Sequence, residues 1–221
     1  MNPIASCPAI NNMKKIKAGF EILMPTDGEA MLRHIEACGR VCYKSEGSIT
    51  EDSYLSFIGN ILSRGHSSVI EHASFTVRFT IDRGVSHEIV RHRIASYSQE
   101  STRYCNYSGG KFGREITVIE PCFFQPGTPP YTTWEQSCIE AERQYFALLD
   151  SGCTAQQARS VLPNSLKTDL LMTANLREWR HFLGLRTSPA AHPQMREVAI
   201  PLLFQLQKEI PVIFDDIEVN A

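Results

Sequence analysis

The feature that most constrains the fold is a strict alternation of polar and apolar side chains from Ser74 to Ile81. Every second residue is apolar, beginning with Phe75, Val77 and Phe79. Successive side chains of a strand point to opposite faces, so a period of two predicts a strand that buries one face. Turn-forming residues follow directly, and they end the strand after Ile81.

Helical patterns lie on both sides of this strand. Apolar residues at helical spacing and capping residues predict helices over 29–42, from an N-cap at Thr50 to Arg64, and over 85–92, 133–150, 154–161, 175–185 and from Pro193 onward. Asn175 and Glu178 have the spacing of a capping box. Further strands are predicted at 20–23, at 116–119 and in the run to Ala174.

Length and composition are those of a globular protein. The 221 residues are 43% hydrophobic and 21% charged, without a repeat or linker, which excludes disordered and coiled-coil classes. We predict one α+β domain over 19–221, with helices packed on a small, mainly antiparallel sheet, after a loose leader over 1–18. No apolar run reaches the ~18 residues of a membrane span. We therefore expect a cytoplasmic protein that does not contact membranes.

Arginine is concentrated in two segments. Residues 78–103 and 159–196 hold ten of the fifteen arginines and carry net charges of +2 and +4, which leaves −8 on the rest of the chain. The forked guanidinium suits planar anions better than lysine does. Two solvated basic faces are the alternative, but these segments also hold many His, Ser, Asn and Gln side chains. We therefore favour a site for an anionic ligand.

Common metal and nucleotide motifs are absent. His87 and His92 are five residues apart, so their rings diverge by about 140° on a helix and cannot share a metal. His34, Cys38 and Cys42 share a helix face but lack a fourth ligand nearby. We predict no metal site and expect most of the seven cysteines to be reduced and buried. The sequence also contains no Walker loop, Rossmann fingerprint or nucleophile elbow.

The densest polar stretch runs from Arg91 to Tyr104, with the sequence RHRIASYSQESTRY. Arginines, hydroxyls and backbone amides in this stretch suit a phosphate monoester, and a solvated helix end is an equal alternative on composition alone. Arg91-His92-Arg93, seven further residues and Ser101 match the R-H-R-x7-S signature of flavin-dependent thymidylate synthases. GHSSVIEH at 65–72, ARSVLP at 158–163 and NLREWRHFLGLR at 175–186 resemble other segments of that family in the same order. The resemblance spans roughly residues 20–205.

The resemblance implies a specific reaction. The family makes dTMP from dUMP, with carbon from methylenetetrahydrofolate and electrons from NADPH through bound FAD. It implies an α/β fold and a homotetramer whose active sites are shared between subunits. The residues that would hold FAD are Ser68, Arg91, His92, Arg93, Gln99, Asn175, Leu176, Arg177 and His181.

The resemblance also implies a dUMP pocket and a catalytic arginine. Arg186 would favour ionisation of the uracil at N3, and a permanently charged guanidinium suits that task. Ser101 would be a substrate contact and not a nucleophile. Glu88 stands where the family often has Gln, and a carboxylate there needs a cationic partner such as Arg91. The pocket would be lined by Glu88, Arg91, Gln99, Glu100, Ser101, Thr102, Arg103, Arg159 and Arg186.

Two alternative functions remain open from the sequence. A flavoprotein of the same fold could methylate another pyrimidine nucleotide, although the presence of Ser101, Arg159 and Arg186 together argues against this. A nucleic-acid-binding module could use the two arginine-rich segments, and it would show steeply salt-dependent binding. The charge of −8 on the rest of the chain argues against nucleic acid as a partner.

Overall fold

The computed structural model describes residues 13–23, 27–109 and 112–219, and they form an α+β fold. The chain divides into two compact units. Among the described residues, the larger unit comprises those in 18–99 and 168–219, and the smaller unit comprises those in 13–17 and 100–167. Each unit has its own cluster of buried apolar side chains. The predicted α+β class is confirmed, whereas the domain limits at residues 19 and 221 stay a prediction.

A four-stranded sheet forms the centre of the larger unit. Its strands are β2 (Gly19–Leu23), β3 (Ser74–Asp82), β4 (Ser96–Gln99) and β6 (Lys167–Asn175), in the order β2-β3-β6-β4. β2 pairs antiparallel with β3, and β4 pairs antiparallel with β6. The mainly antiparallel sheet is therefore as predicted, with 20–23 on its edge. β4 was expected to be loop, because its sequence SYSQ is largely polar.

The alternating pattern of β3 buries one face as expected. Phe75, Val77, Phe79 and Ile81 are at most 1% exposed. Trp179 stacks on Phe75 with a centroid distance of 5.0 Å and an interplanar angle of 10°. This aromatic stack joins the buried face of the sheet to the helix that carries Trp179.

The described residues of the larger unit also form five α-helices, whose buried side chains join one apolar core with those of the sheet. They are α1 (Gly28–Tyr43), α2 (Ser53–Ser63), α3 (Arg83–Ile89), α6 (Leu176–Arg186) and α7 (Pro193–Glu209). The N-cap side chains of α1, α3, α6 and α7 accept from the backbone of their helices. Asp82, for example, accepts from the backbone N of Val85 at 2.8 Å and so caps α3. The N-cap expected at Thr50 is wrong, because α2 begins at Ser53 and the Ser53 hydroxyl accepts from the Thr50 backbone N. A 3₁₀ helix, Ser67–His72, precedes β3.

The smaller unit contains a two-stranded parallel sheet of β1 (Lys14–Ile16) and β5 (Thr117–Ile119). Its helices are α4 (Pro129–Asp150), α5 (Ala155–Ala158) and a 3₁₀ turn, Arg159–Val161. The expectation of a loose leader is wrong for residues 14–16, because their backbone pairs with β5. This segment is short and basic and has no alternating pattern, so the sequence does not indicate a strand there. The rest of the expected leader up to residue 12 lies outside the described residues.

Two further expectations concern cysteines and membranes. The six described cysteines are free thiols, as expected, but only Cys138 is buried, so the expected burial is wrong for the others. Of the helices that the structure describes, each is too short or too polar to cross a lipid bilayer.

Candidate functional site

Arg91, His92 and Arg93 follow the end of α3, and the histidine side chain lies on the opposite side of the chain from the two arginines. The Tyr97 hydroxyl lies 3.0 Å from the carbonyl oxygen of Ile89 and 2.6 Å from that of His92. This contact folds the chain back after the helix. The His92 side chain is buried, whereas both arginines are exposed. The stretch therefore places one imidazole inside the unit and two cations on its surface.

The beginning of α6 brings a second group of predicted residues together. Asn175 caps the helix by accepting from the backbone N of Glu178 at 2.9 Å. Arg177 is exposed and donates to Glu71 at 2.6 Å, and Glu71 belongs to the same 3₁₀ helix as the exposed Ser68. The Leu176 side chain is fully buried. The GHSSVIEH segment and the start of α6 thus meet in the larger unit.

A hydrogen-bonded network joins α3 to both ends of α6. Arg186 Nε donates to His92 Nε2 at 3.0 Å, and the other His92 nitrogen, Nδ1, lies 3.3 Å from Glu178 Oε1. Arg186 Nη1 donates to Glu88 Oε2 and Nη2 donates to the Glu88 carbonyl oxygen, both at 3.0 Å. Glu88 therefore has Arg186 as its cationic partner. The pairing with Arg91 considered from sequence is not formed.

Burial and neighbouring charge keep the His92 imidazole neutral. Desolvation, the Arg186 cation and His181 lower the pKa of His92 from 6.5 to about 4. Desolvation raises the pKa of Glu178, which is 7% exposed. A neutral imidazole has one N–H donor and one acceptor, so it can accept from Arg186 on one side and donate on the other.

The Arg186 guanidinium retains unused donors. Of its five N–H groups, three donate to Glu88 and His92, and within the described residues the remaining two have no acceptor. One of these lies on each Nη atom. The side chain is 20% exposed. An acceptor from solution can therefore meet N–H donors on a guanidinium that is already held in place.

Gln99, the last residue of β4, is held inside the larger unit. Its Nε2 donates to the Ser86 hydroxyl at 2.9 Å and approaches the Thr168 hydroxyl at 3.3 Å. The side chain is half-buried. These bonds fix its amide, so any contact with a ligand would involve a side chain of defined orientation.

The other predicted substrate residues lie in the smaller unit. Arg159 Nη1 approaches the Thr102 hydroxyl at 3.4 Å, and the Ser101 hydroxyl accepts from the Arg103 backbone N at 3.3 Å. Arg103 Nε donates to Gln156 at 3.0 Å. Both arginines are exposed. The loop after β4 thus gathers two guanidinium groups and two hydroxyls, which is a donor set suited to a phosphate.

Glu100 is engaged within the smaller unit. One carboxylate oxygen accepts from the Tyr107 hydroxyl at 3.2 Å and the other accepts from Lys167 Nζ at 3.0 Å. Desolvation, together with the Glu100 charge, raises the pKa of Tyr107. The three side chains line a cavity of about 170 Å³. Both Glu100 carboxylate oxygens therefore already hold the loop to the smaller unit.

Sequence reasoning missed Glu178 and Glu71. Glu178 occupies the position of a capping-box glutamate, which concealed its contact with His92, and Glu71 is a visible part of the GHSSVIEH segment. Ligand atoms of His92, Glu178 and His181 lie within 4.8 Å of one another. Both His92 nitrogens already have hydrogen-bond partners, so this group is accounted for without an ion. The absence of a metal stays a prediction.

Comparison with known proteins extends these observations to most of the chain. Residues 26–212 match the family model described as Thymidylate synthase complementing protein. The chain is 37% identical over 206 residues to the flavin-dependent thymidylate synthase of Geobacter sulfurreducens, with 85% of each chain covered. It is 32% identical over 208 residues to that of Mycobacterium tuberculosis, with 89% of this chain and 83% of the relative covered.

The chain belongs to the flavin-dependent thymidylate synthase family. A third relative, the flavin-dependent thymidylate synthase of Pyrococcus abyssi, is 36% identical over 163 residues and covers 72% of this chain and 65% of its own. The resemblance predicted from the R-H-R-x7-S signature is therefore confirmed. The matched range of the family model includes every residue of the network around Arg186.

Proposed function

We propose that this enzyme converts dUMP to dTMP by reductive methylation, with methylenetetrahydrofolate as the carbon donor and NADPH as the reductant through FAD. The geometry of Arg186 carries the proposal: a permanent cation is held by three hydrogen bonds and presents two free N–H groups. Uracil that loses its N3 proton offers a planar, negatively charged edge to such a cation. Fixed donors where charge develops lower a barrier most effectively.

The surface of the larger unit fits an anionic cofactor. Arg91 and Arg93 are exposed, and neither has an ion-pair partner among the residues that the structure describes. His181 is exposed on α6, beyond the capped N-terminus of the helix. Unpaired guanidinium groups suit the pyrophosphate of FAD. Leu176 could contribute only its backbone, because its side chain is fully buried.

FAD, when bound, would carry electrons from NADPH to the pyrimidine. By the family resemblance it would be held by the arginines of the R-H-R sequence, His92, His181, Ser68, Gln99 and the start of α6. The protein's own contribution is to hold the cofactor and the pyrimidine in place and to stabilise charge on the uracil ring. Arg186 supplies the positive charge that opposes the negative charge on the ring.

Residues of the loop after β4 are proposed to bind dUMP. Arg103 and Arg159 are exposed cations next to the Ser101 and Thr102 hydroxyls, and this donor set matches a nucleotide phosphate. Glu100 has both carboxylate oxygens engaged. We therefore assign Glu100 the role of orienting this loop. Glu88 would act through its hydrogen bonds to Arg186.

The proposal also includes a homotetramer with active sites shared between subunits and a location in the cytoplasm. Both follow from the family resemblance and the sequence. Light scattering of the purified protein at two concentrations would measure the assembly. A monomer or dimer at micromolar concentration would contradict the proposed tetramer.

The decisive experiment is a visible spectrum of the purified protein, recorded before and after anaerobic addition of NADPH and dUMP. We expect flavin bands that bleach on reduction. Subsequent addition of methylenetetrahydrofolate should yield dTMP, detected by chromatography. Replacement of dUMP by UMP and dCMP in parallel reactions tests whether another pyrimidine nucleotide is the acceptor.

A colourless protein that also fails to take up added FAD would overturn the proposed function. A flavoprotein that methylates UMP or dCMP in preference to dUMP would retain the cofactor but contradict the proposed substrate. The expected outcome is that NADPH bleaches the bands of a bound flavin and that dUMP is then converted to dTMP.

A further inference from the structure

Glu178 has no assigned role, yet it is among the most buried acids of the larger unit. It lies in the first turn of α6, and its side chain contacts His92 at 3.3 Å. The Asn175 side chain already caps this helix by accepting from the Glu178 backbone N. The carboxylate is therefore directed to His92, and not to the helix start where a capping-box glutamate would bond.

The hydrogen bonds of His92 define its tautomer. Arg186 Nε always carries a hydrogen, so it can only donate, and His92 Nε2 must accept at 3.0 Å. A neutral ring then carries its proton on Nδ1. That proton is donated to Glu178 Oε1. The opposite tautomer would place two N–H groups against each other at Arg186 and leave Nδ1 facing a carboxylate without a hydrogen.

Burial makes this arrangement difficult to replace with water. His92 and Glu178 are 5% and 7% exposed. Phe182 covers the His92 ring edge to face, with a centroid distance of 4.9 Å. A buried polar group without its partner is strongly disfavoured, so the three side chains must be satisfied together. The order of contacts is Glu178 to His92 to Arg186.

We propose that Glu178 is a positioning residue: its carboxylate fixes His92 in the Nδ1–H tautomer, and His92 in turn holds the Arg186 guanidinium in its functional orientation. Glu88 fixes the two Nη atoms, while this chain of contacts fixes Nε. The two remaining N–H groups of Arg186 are then held in fixed directions. The effect on catalysis rests on the proposed function, because it requires that Arg186 act on the substrate.

The geometric half of the proposal, the tautomer of His92, can be tested without measuring enzyme activity. The full-length protein is prepared with ¹⁵N-labelled histidine, and long-range ¹H–¹⁵N spectra at neutral pH report which ring nitrogen is protonated. The His92 signals are assigned by their loss in His92→Gln. We expect Nδ1–H in the wild type and in Glu178→Gln, whose side-chain oxygen still accepts. In Glu178→Leu we expect the preference for Nδ1–H to weaken, because Nδ1–H then lacks its acceptor and only the Arg186 Nε donor still opposes the other tautomer.

The catalytic half is tested by release of tritium from C5-labelled dUMP. Loss of a hydrogen bond to a charged network corresponds to about a tenfold effect, so we expect Glu178→Leu to be about tenfold slower. Glu178→Gln should recover most of the rate. Asp216→Asn is the matched control, because Asp216 pairs with Arg180 on the same helix but does not contact His92. Its rate should equal that of the wild type.

Two results would overturn the proposal. One is an Nε2–H tautomer of His92 in the wild type, which needs no variant and is decisive even if Glu178→Leu does not fold. The other is a Glu178→Leu protein whose tautomer and tritium release match those of Asp216→Asn. A wild-type protein that binds no flavin and forms no dTMP would instead contradict the proposed function, and the tautomer alone would then decide the positioning.

Discussion

In the larger unit, Arg186 differs from Arg91 and Arg93 in how its side chain is held. Arg186 is partly buried and donates three hydrogen bonds to Glu88 and His92. Arg91 and Arg93, on either side of His92, are exposed and have no ion-pair partner among the described residues. Arg186 is therefore pre-organised, whereas Arg91 and Arg93 must be ordered by what they bind.

The difference corresponds to two tasks. A cation that stabilises developing charge must already be in place, because reorganisation during the reaction would cost free energy. A cation that binds a flexible, charged cofactor can adapt, and its binding depends on the ionic strength. Substitutions in the two groups should therefore give different kinds of defect.

The largest effect is expected for Arg186→Lys. Lysine has three donors on one nitrogen and cannot replace a planar fork that bonds both Glu88 and His92. We expect tritium release from C5-labelled dUMP to fall by about 100-fold, while flavin content is unchanged. Arg180→Lys on the same helix is the control. Unchanged tritium release in Arg186→Lys would show that this arginine does not promote ionisation.

A smaller effect is expected for Arg91→Ala and Arg93→Ala. Each removes one exposed cation, so we expect FAD affinity to fall by about tenfold at about 0.1 M salt and by less at about 1 M. Equilibrium dialysis with FAD measures both values. Arg143→Ala, which removes an exposed arginine of α4 paired with Glu140, should leave FAD affinity unchanged. A loss of FAD affinity that does not depend on the salt concentration would show that Arg91 and Arg93 do not bind FAD through exposed, screened charges.

The pH dependence of stability tests the neutral state of His92. Its pKa is about 4 in the folded protein and 6.5 in the unfolded chain, so between these values the unfolded chain binds more protons. The free energy of unfolding should therefore fall as the pH decreases from 6.5 towards 4, by at most about 1.4 kcal/mol per pH unit. The raised pKa of Glu178 gives the opposite slope above its ordinary value of 4.5.

Urea unfolding of the wild type and His92→Gln at several pH values isolates the histidine contribution. The difference in unfolding free energy between the two proteins should decrease from pH 6.5 towards 4. A constant difference across this range would show that His92 does not have a lowered pKa.

The smallest effect is expected for the cap of α6. Asn175→Ala removes the acceptor for the Glu178 backbone N, and we expect unfolding free energy to fall by about 1 kcal/mol. Asn175→Ser keeps an acceptor and should lose only a few tenths. Thermal denaturation measures both. Equal losses in the two variants would show that the side chain does not act as a cap.

The sequence predicts the local features well because they depend on nearby residues. The alternation of β3, the cap at Asn175 and the apolar stripe of α7 all follow from spacing. Even so, α4 begins at Pro129 and not near Thr133, because two prolines occupy the first helical turn, where they need no N–H partner. β1 and β4 were missed because short strands are specified by their pairing partners.

The contacts of the site could only partly be predicted. The R-H-R sequence and Arg186 were found through the family resemblance, but Arg186 and His92 are 94 residues apart and their hydrogen bond depends on how α3 and α6 pack. Glu178 was assigned to a capping box because its position fits one. Its buried contact with His92 depends on the folded arrangement and not on local spacing.

The pairing of β4 with β6 has a consequence for how the chain folds. Gln99 at the end of β4 lies opposite Leu170 in β6, so this pairing closes a loop of about 70 residues. Long loops are closed slowly, and contacts between distant residues delay folding. The nearest partners of β2 and β3, Leu23 and Thr76, are also far apart along the chain, so neither strand pair is local. A protease cut within residues 101–166 places β4 and β6 on separate fragments, and we expect it to slow formation of this strand pair.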